Sequence, residues 1–134
     1  MAVASVLVVD DDVAASAPAR ELLTAAGYVV TQVSNGRQAL QRVRVQPPDL
    51  LITEIFMPDG DGIELIAALQ RSDQRVRIIA VSERRFFDSL DLFDVVAKLG
   101  ADAVLQKPLE AEKLLDVVAG LLALEAPLDD LVVC

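Results

Sequence analysis

Glu54 closes a short apolar run, Leu50-Leu-Ile-Thr53, and is followed by Pro58, Gly60 and Gly62. Asp10, Asp11 and Asp12 close a second run, Val6–Val9; Ser82 closes a third, Val76–Val81; Lys107 follows a fourth, Ala103–Gln106. If these runs are strands of one sheet, Asp10, Asp11, Glu54, Ser82 and Lys107 meet at one edge. Two carboxylates about 4 Å apart repel by roughly 4 kcal/mol at an effective dielectric of 20, so the acids need a cation, a proton or the lysine beside them. A hard divalent ion with oxygen ligands suits such a cluster, and Mg²⁺ accepts carboxylates together with waters. Each residue alone has a plainer use, since an acid at a strand end more often caps a helix or closes a turn. The combination at four strand ends is far more specific.

The elements that must position these residues follow from pattern. Leu50–Thr53 is too short for a helix and is bounded by Pro47, Pro48 and Asp49, which reads as a strand buried on both faces. A first helix should run to about Ala26 with Gly27 as its stop and Leu22 and Leu23 inward. Pro18 is tolerated only near a first turn, which predicts a late start with Ser16 as the cap. Tyr28–Val33 reads as a second strand, and Arg37–Val45 as a helix whose Ala39, Leu40 and Val43 form one stripe. Further helices are expected from Ile63 to about Gln70, from Ser89 to Leu99 and from Ala111 to Leu124. Glu83–Asp88 reads as a polar loop interrupted by Phe86 and Phe87, a pair that either covers the site or anchors another chain. Five strands alternating with five helices through short linkers make an α/β domain with a parallel sheet and helices on both faces. Residues 1–124 form that domain. Residues 125–134 fall outside the pattern and read as a frayed tail, the alternative being that Leu128, Leu131, Val132 and Val133 dock on the domain or on a partner.

Composition excludes several functions. The 134 residues suffice for one domain that buries roughly two-thirds of its unfolded surface. Aromatics are 4% against 54% hydrophobic residues, which favours an aliphatic interior over a platform for stacking bases. A net charge of −9 repels a phosphate backbone, so no nucleic-acid partner is expected. Without histidine there is no His acid–base catalysis, no His metal ligand and no phosphohistidine carrier. The one cysteine, Cys134, has no internal disulfide partner. Met1–Val9 lacks a basic start and runs into three aspartates, which argues against a signal peptide or membrane span and for a cytoplasmic protein. Asp59-Gly-Asp-Gly62 fails as a calcium loop, because Ile63 and Glu64 stand where a ligand and the glycine belong.

With these residues in view, the chain resembles the receiver domain of bacterial two-component response regulators over nearly its whole length. Val6-Leu-Val-Val-Asp-Asp-Asp12, Pro48-Asp-Leu-Leu-Ile-Thr-Glu-Ile-Phe-Met-Pro58, Ile79-Ala-Val-Ser82 and Gly100-Ala-Asp-Ala-Val-Leu-Gln-Lys-Pro108 carry the resemblance. It implies a doubly wound, flavodoxin-like (βα)5 fold with strand order 2-1-3-4-5. It also implies that Asp10 and Asp11 hold Mg²⁺, with Asp11 a direct ligand and the Phe56 carbonyl another. Ser82 matches the hydroxyl residue that turns toward a bound phosphoryl group, and Lys107 the lysine that pairs with it. Two positions depart. The acceptor aspartate is replaced by Glu54, and the aromatic switch three residues before the lysine by Val104. One added methylene moves the carboxylate by roughly 1.5 Å, where a misplacement of about 1 Å can cost around 10²-fold. Valine has neither the hydroxyl nor the reach to couple a ring to Ser82. The loop after Ser82 is also longer than usual, resembling a group of stand-alone receivers.

The expected function is therefore a stand-alone, phosphorylation-deficient pseudo-receiver in phosphorelay signalling. It would act through protein partners such as a sensor kinase or a downstream signalling protein rather than as an enzyme, binding Mg²⁺ weakly at Asp10, Asp11, Glu54 and Phe56. The resemblance places its partner face on the fourth helix, fifth strand and fifth helix, through which it would be a monomer or weak homodimer. Two alternatives stay open: a working Mg²⁺-dependent phospho-acceptor, and a flavodoxin-like binder of a small molecule. The last lacks a Gly-rich phosphate loop and an aromatic pair for a flavin.

Overall fold

The computed structural model describes residues 3–57, 62–72 and 75–133, with side chains described as far as residue 123. Strands β1 (Ser5–Val9), β2 (Val29–Val33), β3 (Leu50–Glu54), β4 (Arg77–Ser82) and β7 (Ala103–Gln106) form one parallel sheet in the order β2-β1-β3-β4-β7. Counting only strands of this sheet, that is the expected 2-1-3-4-5 winding. Helices α1 (Val13–Ala25), α2 (Gly36–Val45), α3 (Gly62–Gln70), α4 (Leu92–Leu99) and α5 (Ala111–Val133) cover its two faces. The expected Pro58–Gly60 turn, the rejected calcium loop apart from Gly62, and Cys134 lie outside the described residues, as do the side chains beyond 123.

The period-2 alternation of each strand divides the interior in two. Val6, Val8, Leu50, Ile52, Ile79, Val81 and Leu105 pack with Leu23, Leu114 and Val118 of α1 and α5. Their neighbours Leu7, Val9, Leu51, Ile78 and Ala80 pack with Ala39, Val43, Leu65, Ile66, Leu69 and Val96 of α2, α3 and α4, with Val104 against that cluster. A strand buried on both faces has no polar side, which is why β1 and β3 read as unbroken apolar runs.

Four expectations are corrected. Helix α1 starts at Val13, not near Ser16, because the Asp12 side chain accepts from Ala15 N at 3.0 Å and caps it. Pro18 thus lies inside the helix, where it withholds the N–H that Ala14 O would accept. Ser16 is buried instead: its hydroxyl donates to Val13 O at 3.1 Å and lies 2.8 Å from Gln32 Oε1 on β2. Helix α4 starts at Leu92, not Ser89, since Asp91 accepts from Phe93 N and Asp94 N and so fixes the first turn. The stretch expected to be loop and helix start holds a hairpin, β5 (Phe86–Phe87) paired antiparallel with β6 (Leu90–Asp91). Its turn puts Asp88 at φ +53, a conformation short polar side chains tolerate. The backbone of α5 continues to Val133, past the expected end at Leu124.

Candidate functional site

Backbone bonds beyond the strand ends hold the polar residues at one edge. Asp10 N donates to Val33 O at 3.2 Å, Ile55 N to Val81 O at 2.9 Å, and Lys107 N to Ser82 O at 2.9 Å. Each fixes the residue at or next to a strand end to the neighbouring strand, so Asp10, Glu54, Ser82 and Lys107 are set by the sheet. Gly62, the first residue of α3, lies so close that a Cβ there would meet the Glu54 carbonyl and Ile55 Cα. Only glycine lets the helix start against the end of β3. Thr53, fully buried, donates its hydroxyl to Glu54 O at 3.0 Å.

At the centre of the edge is a shared ion pair. Lys107 Nζ lies 3.0 Å from Glu54 Oε1 and 3.6 Å from Asp10 Oδ2, with side chains 22%, 15% and 7% exposed respectively. Burial pushes the Glu54 carboxyl above its usual range, and the contact with Lys107 recovers only part of that cost. Burial works against the Lys107 ammonium too, but Glu54, Asp10 and Glu83 outweigh it and raise Lys107. Both shifts have one origin, two acids drawn from water around a single cation. Asp10 Oδ1 accepts from Asp12 N at 2.9 Å. Glu54 Oε2 is buried and has no hydrogen-bond partner among the described residues.

The other expected residues are placed differently. Asp11 is exposed, and among the described residues no three acids lie close enough together to hold a metal ion. Of the three expected carboxylates, Asp10 and Glu54 stand on either side of the lysine. Ser82 is buried and its Oγ accepts from Arg84 N at 3.2 Å. No hydrogen bond joins it to Glu54 among the described residues. Phe56 is 45% exposed, and Val104 packs toward α4 on the face of the sheet opposite α1 and α5. Phe86 and Phe87 are half exposed on the loop after Ser82. Gln32 was not anticipated: its Nε2 donates to Asp10 O at 3.1 Å and its Oε1 meets Ser16, which braces the Asp10 turn from β2. The only trace of it in sequence is a glutamine between Val30 and Val33 on a strand.

The donor set fits Mg²⁺ in kind, because its atoms are hard oxygens and one of them, Glu54 Oε2, is buried and unsatisfied. In number it is poor, with Lys107 already beside both carboxylates. An apolar groove of about 680 Å³ between α1 and α5, lined by Pro18, Ala19, Leu22, Leu109 and Leu114, opens beside Lys107.

Residues 6–119 match the family model of the response regulator receiver domain. The chain is 30% identical over 121 residues to sporulation initiation phosphotransferase F of Bacillus subtilis, covering 90% of this chain and 95% of that protein. It is 34% identical over 125 residues to the response regulator MprA of Mycobacterium avium, covering 93% of this chain but 54% of that longer protein. Among solved structures, a signal receiver domain from Vibrio parahaemolyticus superposes with a TM-score of 0.85 at 27% identity, covering 98% of both chains. The chemotaxis response regulator CheY4 of Vibrio cholerae does so with a TM-score of 0.79 at 26% identity, covering 90% of this chain and 99% of that one. With the family match running from β1 into α5 and the polar edge built at the carboxyl ends of the strands, the chain belongs to the response regulator receiver domains of two-component signalling.

Proposed function

We propose that the chain is a pseudo-receiver, which signals by protein contact and does not take up a phosphoryl group at position 54. One observation carries this reading: Glu54, at the acceptor position, already engages Lys107 at 3.0 Å. Its carboxylate supplies about one negative charge where a phosphoryl group would bring roughly −1.5 to −2, and it holds the lysine that such a group would recruit. The signalling state is thereby favoured in part without modification. The contact with Ser82 that full mimicry requires is not made, because Ser82 Oγ accepts from Arg84 N. With Val104 in the switch position, no aromatic ring reports on Ser82.

Sensor kinases and downstream signalling proteins are the partners this reading assigns, meeting the domain through α4, β7 and α5 in the cytoplasm. Among the described residues no helix is long and apolar enough to cross a membrane. Mg²⁺, where present, is held weakly by Asp10, Glu54 and Asp11 with the Phe56 carbonyl, and supplies positive charge that competes with Lys107 for the two inner acids. The second reading is a working acceptor, which the unsatisfied Glu54 Oε2 favours. Incubation with a small phosphodonor and Mg²⁺ followed by intact mass separates them: the wild type should gain nothing and Glu54→Asp one phosphoryl group. That substitution keeps the charge and removes one CH₂, so restored reactivity would come from placement alone. A phosphorylated wild type would overturn the pseudo-receiver reading.

A further inference from the structure

The hairpin β5–β6 exposes an apolar surface with two arginines, Arg84 and Arg85, and two aspartates, Asp88 and Asp91, on an acidic chain. Phe86, Phe87 and Leu90 are 55%, 50% and 51% exposed. Single exposed apolar residues need no explanation, but rings clustered on one hairpin mark an interaction surface. Arg84 lies 5.9 Å from the Phe87 ring centre, and Arg85 5.4 Å from that of Phe86 and 5.5 Å from that of Phe93. Arg85 is paired with Asp91 at 3.1 Å, whereas Arg84 has no carboxylate partner among the described residues. The hairpin is tied to its surroundings, since Leu92 N donates to Arg85 O at 2.7 Å and Arg84 N to Ser82 Oγ at 3.2 Å.

A segment that combines carboxylates with aliphatic side chains and carries no base is the complement of this surface. Residues 124–134, Leu-Glu-Ala-Pro-Leu-Asp-Asp-Leu-Val-Val-Cys, have that composition, with Leu124, Leu128 and Leu131 at the i, i+4, i+7 spacing of one helical stripe. The hairpin follows the carboxyl end of β4. Helix α5 begins at the same edge and runs back for 23 residues, about 34 Å at 1.5 Å per residue, whereas a six-residue strand spans about 20 Å. Its end therefore lies at the far edge of the domain, out of reach of its own hairpin. We propose that the hairpin Phe86–Asp91 with Arg84 is the docking surface for residues 124–134 of a second copy of this chain. In an antiparallel pair a two-fold axis makes the contact twice and closes the assembly. The middle of the α4, β7 and α5 face stays open to other partners, and the contact is independent of what Glu54 does.

Sedimentation equilibrium of the full chain, with reductant to keep Cys134 from linking copies, tests the proposal. A reversible dimer that weakens with added salt is expected. Arg84→Glu should weaken it about tenfold or more by setting like charges against each other, and so should the pair Asp129→Lys with Asp130→Lys. Combining all three should restore the dimer, and circular dichroism checks that each variant is folded. Phe86→Ser with Phe87→Ser should leave a monomer. A monomer at every concentration, a dimer indifferent to these substitutions, or failure of the charge-reversed set to restore association would each overturn the proposal.

Discussion

At the scale of residues, the edge of the sheet is governed by one lysine shared between two acids. Removing one member of a buried pair strands the other, which costs more than the pair gains in place of apolar residues. Lys107→Met leaves Asp10 and Glu54 facing each other and should cost about 3 kcal/mol, the low end of the range because Lys107 is 22% exposed. Urea unfolding measures it. Glu54 is raised above its usual range in the fold, so it takes up a proton more readily there than in the unfolded chain; stability rises as pH falls through its folded pKa. Lys107 is also raised, so its contribution is full below the ordinary lysine range and is lost as pH climbs through its folded pKa. The Met variant should therefore recover stability on mild acidification more steeply than the wild type, and should lack the alkaline loss. Equal acid slopes in the two proteins would show that Glu54 does not feel the lysine. The residue types at this edge were legible in sequence because each ends an apolar run. The dominance of Lys107 was not, since it depends on the side-chain reach that brings Nζ to both acids and leaves Asp11 exposed.

Among the elements, the junction of β3 with α3 carries the acceptor position. Gly62 N donates to Ile55 O at 2.8 Å, and the atoms its Cβ would meet are backbone atoms of Glu54 and Ile55, which cannot turn aside. Gly62→Ala should cost about 2–3 kcal/mol, as overpacking at a rigid contact does, and should displace Glu54 from Lys107. Thermal melts of this variant and of Gly62→Ala in the Lys107→Met background separate the two effects. If the pair is disturbed, the costs add to less than their sum. Strand and helix order were legible from period and punctuation alone. The starts of α1 and α4 were not, because in each an aspartate with a good capping geometry prevailed over a nearby signal: Asp12 over Pro18, Asp91 over the apparent helix start at Ser89. The hairpin escaped notice because its strands are only two residues long and its turn uses Asp88 in place of the usual glycine.

For the whole molecule, a net charge of −9 means that any salt should stabilise the fold by screening self-repulsion, so an effect of Mg²⁺ has to be read against that background. The acidic composition argues against direct nucleic-acid binding. It does not reveal that an ammonium, Lys107, already stands beside two of the converging acids. Melting temperatures in NaCl and MgCl₂ at matched ionic strength divide screening from binding. We expect both salts to raise the midpoint and Mg²⁺ to raise it slightly more, by mass action on the native state. The excess should vanish in Asp10→Asn, whose side chain keeps an oxygen to accept from Asp12 N but loses the charge. It should grow in Lys107→Met, where the cation competing for Glu54 and Asp10 is gone. Superimposable Mg²⁺ and Na⁺ curves in both the wild type and Lys107→Met would show that two inner acids do not make a site for a divalent ion.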